Sequence, residues 1–123
     1  MSLSDSFYAP EYFDFMEEIA LLESDDLKEN AQGVARLAAM AEAGNVAAMV
    51  VLGRHFHTGK HRDMYLALRW YIRAAEEKHY EGQARVARLY CHPEDEETLR
   101  AMEQLAAEGY DREGVLRLCG VSK

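Results

Sequence analysis

Apolar residues recur along this chain at steps of three and four, and no window of four to eight residues alternates cleanly between apolar and polar. That periodicity predicts an all-α fold. A first helix begins near Pro10, a residue suited to a first helical turn, and runs to about residue 22, with Tyr12, Phe15, Met16, Ile19 and Leu22 as its core stripe. Ser24, Asp25 and Asp26 offer caps for a second helix, Asp26 and Glu29 standing in capping-box spacing, and Gly44 ends it. Asn45 caps a third that stops at Gly59. A fourth starts near Asp63 and fades by His79, a fifth covers about residues 81 to 91, and Pro93 breaks the chain. A sixth spans about residues 95 to 108, and a short seventh follows Gly109, from Asp111 to about Cys119. The short loops imply antiparallel hairpins.

The chain also matches itself at an offset of 34 residues. Ala41-Glu42 aligns with Ala75-Glu76, Leu52-Gly53 with Val86-Ala87, and Phe56 with Tyr90. With two deletions in the last unit, Ala74-Ala75-Glu76 aligns with Ala106-Ala107-Glu108, and Val86-Ala87 with Leu118-Cys119. One hairpin cannot bury its apolar face alone, so the expected architecture is a short αα-superhelix, a solenoid of about three antiparallel helical hairpins.

The best unit reads Ala48-x3-Leu52-Gly53-x2-Phe56-x2-Gly59, then Asp63-x3-Ala67-x2-Trp70-Tyr71-x2-Ala74-Ala75. This resembles a Sel1-like repeat, a relative of the tetratricopeptide repeat. Trp70 in the second helix favours Sel1, since a tetratricopeptide repeat carries its tryptophan where this chain has Met49. The match departs from the family between Gly59 and Asp63, where a longer loop with a second glycine is usual, and at His79, where glycine commonly ends the unit. The resemblance covers about residues 33 to 120. It implies an αα-superhelix and a role as an adaptor or scaffold, commonly bacterial, that binds proteins rather than catalysing a reaction. The organisation that follows is an acidic amino-terminal segment and capping helix over residues 1–25 and Sel1-like repeats over 26–123, in a single compact domain.

Packing logic agrees at those positions: small Ala48, Gly53, Ala67, Ala74 and Ala75 let helices approach, while Leu52, Phe56, Trp70 and Tyr71 fill the space between them. All nine are expected in the repeat core.

Composition changes the picture only in its distribution of charge. The 123 residues are 49% hydrophobic and 29% charged, as in a folded globule, with a net charge of -8. Residues 1 to 30 hold nine acids against one base, whereas residues 54 to 88 hold eight bases against four acids. An acidic chain repels phosphate backbones, which argues against a nucleic-acid ligand. No apolar run approaches the ~18 residues of a membrane span, the amino terminus lacks the pattern of a secretory signal, and Cys91 and Cys119 form no CxxC. A cytoplasmic setting is expected.

With Leu52, Gly53 and Phe56 inward, the opposite face of the third helix carries Val50, Arg54 and His57, and the offset adds Arg88 and His92. Arg54 and Arg88 then lie about 10 Å apart on neighbouring helices, a basic concave strip suited to forked recognition of carboxylates on a partner protein. These five residues are the expected contacts, made by a monomer or a homodimer. Two other readings compete. The acidic head suits a small inhibitor or immunity-type protein that masks a basic partner surface, with the segment before Pro10 as a flap anchored by Phe7 and Tyr8. His57, Cys91 and His92 raise a small-ligand or metal-dependent activity. Geometry weighs against metal at His55, His57 and His61, because helical neighbours two apart point about 200° from one another and Gly59 breaks the turn. No HExxH, GxSxG, P-loop or dinucleotide fingerprint is present, so neither an enzymatic reaction nor a cofactor is expected. The run Glu94-Asp95-Glu96-Glu97 reads as helix capping, and Arg69 and Arg73 as a solvated convex face paired with Glu76 and Glu77.

Overall fold

The structure, a computed structural model, describes residues 10–120. Within them the chain is helical throughout: a 3-10 turn at Pro10–Phe15, then α1 (Met16–Glu23), α2 (Leu27–Glu42), α3 (Val46–Thr58), α4 (Met64–Glu76), α5 (Tyr80–Cys91), α6 (Glu96–Ala107) and α7 (Arg112–Leu118). No strand occurs among the described residues, and none of their helices is long and apolar enough to cross a membrane.

The capping signals work almost as spaced. The side chains of Asp26, Asn45, Asp63, Asp95 and Asp111 each accept a backbone N–H from the first turn of the helix they precede. The expected capping box is a partial exception, because Glu29 takes the Ser24 hydroxyl instead of reaching back to Asp26. Gly44 and Gly109 leave α2 and α6 with φ of +101° and +103°. After α4 the left-handed position falls to Lys78, with φ of +62°, one residue before the His79 at which the repeat pattern expects glycine.

The first helix differs from its prediction at its start. A 3-10 turn has three residues per turn, so Tyr12 and Phe15 eclipse one another and both are buried; the α-helical stripe then restarts at Ile19 and Leu22. Met16, assigned to that stripe, is turned outward and 41% exposed.

Consecutive helices from α1 to α5 pack on one another, and then the order changes, with α6 lying chiefly on α4 and α7 on α5. Two apolar clusters result. One gathers Tyr12, Phe15, Ile19 and Leu22 with Leu37, Ala41 and the buried face of α3, and the other gathers the α4 and α5 cores with Ala101, Leu105 and Val115. Phe56 touches both clusters. A Cβ placed on Gly53 would lie 2.4 Å from the Tyr71 ring, and one on Gly82 would lie 2.7 Å from the Ala74 Cβ, so glycine sets how closely α3 and α5 approach α4.

The nine expected core residues are buried except Phe56 and Trp70, which are half-buried. Burial also follows the first 34-residue step: Ala41 and Ala75 are both buried, as are Ala48 and Gly82, and Leu52 and Val86. It does not follow the second. Ala106 and Ala107 are exposed and Leu118 is 37% exposed, where Ala74, Ala75 and Val86 are buried. The turn at residues 92–95 is tied back to the α3–α4 loop and sets α6 against α4, which directs these alanines to solvent.

Candidate functional site

The face expected to be an open concave strip is largely covered by the chain itself. Tyr12 and Phe15 of the 3-10 turn lie in the same cluster as Val50, which is fully buried and so unavailable to a partner. The Tyr12 hydroxyl donates to Glu81 Oε1 at 2.8 Å, and the other Glu81 oxygen faces Arg85 at 3.4 Å, fastening the turn to α5. Arg54 sits half-buried beside this group. Burial holds its guanidinium below its ordinary value and the charge of Arg85 pushes the same way, while Tyr71, Glu81 and Tyr12 oppose them. Arg54 is therefore coupled to Arg85, one helical turn before the Arg88 that the offset selected. The i,i+4 spacing of Glu81 and Arg85 was the legible signal for this cluster.

Arg88 and His92 are exposed, as the expected strip requires. His57 is not. Its Nε2 lies 3.0 Å from Glu94 Oε1, its Nδ1 lies 3.3 Å from the Tyr71 hydroxyl, and its ring meets Tyr71 edge-on. Both ring nitrogens of His57 are thus engaged, by Glu94 and Tyr71. Burial raises the Cys119 thiol, a backbone hydrogen bond at Ala87 opposes it, and Cys91 adds a smaller push upward. His55 and His57 diverge as predicted: His55 lines a different groove, with His61. No group of three metal-ligating side chains gathers among the described residues.

The acidic run does more than cap a helix. Arg62 reaches Glu94 at 3.3 Å, Asp95 at 2.9 Å and Glu97 at 2.7 Å, and donates from Nε to the His57 carbonyl. The second oxygen of Glu97 accepts the Met64 N–H at 3.1 Å, capping α4 from a distance. Hydrogen bonds from the Thr98 N–H and hydroxyl, followed by Arg62, hold the Asp95 carboxyl below its ordinary value.

On α4 the arginines pair across helices and not with Glu76 and Glu77. Arg73 stacks 4.8 Å from the Trp70 ring centroid, and its guanidinium lies 2.7 Å from Glu42 at the end of α2. Arg69 pairs with Glu108 at 3.2 Å and with the Tyr65 hydroxyl at 3.2 Å. The acidic head is also partly spent internally: Glu17 and Glu18 face Arg36, and Asp25 faces Lys60, which lowers the Asp25 carboxyl. Phe7 and Tyr8, the expected flap anchors, lie outside the described residues.

An open apolar groove with a volume of about 450 Å³ lies between α2 and the end of α3. Leu27, Ala31, Val34, Ala35 and Phe56 form its walls, with Asn30, His55 and His61 as its polar side chains. No protein-family model, curated protein or solved structure matches the chain.

Proposed function

We propose that this chain is a non-enzymatic, Sel1-like protein-binding module, an adaptor that recognises an acidic segment of a partner protein by shape and charge. The observation that carries this reading is the first 34-residue step, at which sequence and burial repeat together from α2–α3 to α4–α5. Stacked hairpins of that kind present extended faces for partners. Within the basic strip, Arg88 on α5 and His92 just after it are exposed, whereas Arg54 and Arg85 are half-buried. Two free cysteines suit a reducing, cytoplasmic setting. The internal pairing of Glu17, Glu18 and Asp25 weighs against the inhibitor alternative, because those carboxylates already have cationic partners.

The test is fluorescence anisotropy with an array of acidic 15-residue peptides at low and moderate salt. Peptides with clustered carboxylates bind wild type, and Arg88→Glu weakens them at least tenfold. Equal binding by the variant would remove α5 as the contact, and an array with no binder would remove acidic-segment recognition.

A further inference from the structure

The groove between α2 and α3 has a counterpart that is already filled. Thirty-four residues on, Ala31, Val34 and Phe56 correspond to Tyr65, Leu68 and Tyr90. Leu68 and Tyr90 are buried in one cluster with Ala101 and Leu105 of α6 and Val115 of α7, and Tyr65 packs against it. In the first unit no described helix performs that service, and Leu27 at the groove's edge is 68% exposed. We infer that the α2–α3 groove is a docking site for an amphipathic helix of a protein partner, seated as α6 is seated on α4.

Charge and polarity specify the occupant further. The acidic first turn of α6 is clamped by Arg62. The residue 34 positions earlier is Lys28, exposed, adjacent in the chain to the groove-lining Leu27, and in no ion pair with a described residue. His61, also exposed, lines the groove. A helix with a carboxylate in its first turn therefore finds the Lys28 ammonium where it enters, and the positive end of its own dipole gains from the same carboxylate. Inside the groove, His55 is a buried polar side chain of the lining, 2% exposed, opposite which an occupant would place a polar group. The occupant is thus an amphipathic helix with apolar residues at i, i+3, i+4 and i+7, an acidic first turn, and one polar side chain opposite His55.

This inference rests on the protein-binding reading, and its test separates the two. A displayed library of 16-residue helices with acidic first turns and a randomised apolar face is selected against the full chain. Selected helices are expected to bind one to one, to lose at least tenfold in affinity with Ala35→Arg, and to lose severalfold with Lys28→Glu. Ala35 is exposed, so circular dichroism and melting of Ala35→Arg should match wild type. Failure to select any helix, or binding indifferent to Ala35→Arg, would overturn the groove. Helices that respond to Arg88→Glu but not to Ala35→Arg would overturn it while sustaining the protein-binding reading. A wild-type dimer that Ala35→Arg converts to monomer would assign the groove to a second copy of the chain and overturn the inference as well.

Discussion

The α2–α3 and α4–α5 surfaces start from matched positions and end differently: one is open, the other lies under α6 and α7. The difference traces to side-chain size and to one clamp. Where the open unit has Ala31 and Val34, the covered unit has Tyr65 and Leu68, which give α6 more surface to bury. Where the open unit has Lys28, the covered unit has Arg62, whose planar fork holds three carboxylates of the α6 entry at once. Two surfaces aligned 34 residues apart thus keep matched core positions while differing in what they offer outside. Removing an apolar side chain from under the cover breaks this contrast most directly. Leu105→Ala, at a fully buried position of α6, should cost about 3 kcal/mol in urea unfolding. Ala35→Arg, on the open surface, should change stability by less than about 0.5 kcal/mol. Equal costs would mean that α6 does not act as a cover.

The seam that both surfaces share gives the next largest effect. Gly53→Ala drives a methyl to 2.4 Å from the Tyr71 ring between α3 and α4, and overpacking of that kind costs about 2 kcal/mol. The same urea midpoint reads it, and an unchanged midpoint would show that α3 and α4 can separate freely.

The open groove carries a pH signature that the covered one lacks. Burial, and then the charge of His61, hold His55 below its ordinary value. The unfolded chain takes up the proton first, so the stabilising effect of neutral His55 is complete above about pH 6.5 and is lost as pH falls from there toward the folded value. Melting temperature should therefore fall between pH 7.5 and 5.5, with a shallower slope in His55→Leu. The covered counterpart of His55 is Leu89, which has no proton to take up.

Local signals made the helices legible. Five caps and two helix-ending glycines act where the spacing places them, and the small residues of the Leu52-Gly53 and Ala74-Ala75 pairs lie at the seams. The candidate contacts were less legible, because exposure depends on what else the chain brings to a face. Val50 looks available on its own helix but is buried in a cluster that includes Tyr12 and Phe15, which a 3-10 turn with a period of three places together. His57 looks solvent-facing until Glu94 arrives from a loop 37 residues away. The cross-helix pairing of Arg73 with Glu42, its guanidinium stacked on the Trp70 ring, is likewise contained in no i,i+4 rule. Sequence periodicity reports the faces of one helix, whereas these contacts are settled between helices distant in the chain.

The finest contrast between the units is a single oxygen. Phe56 and Tyr90 align at the 34-residue offset, and the Tyr90 hydroxyl is buried with no hydrogen-bond partner among the described residues. Burial, followed by Asp111 and Cys119, pushes that phenol up to about 12, so it stays protonated through the working pH range and contributes no charge. A buried hydroxyl without a partner gives up its hydrogen bonds to water and regains nothing on folding. Tyr90→Phe removes only that group and keeps the ring that α6 and α7 pack against. Its unfolding midpoint should therefore stay level or rise, by up to about 1 kcal/mol in stability. A loss of more than that would mean that the hydroxyl has a partner when the protein is in solution, and that the covered unit is held by a polar contact for which the open unit's Phe56 has no counterpart.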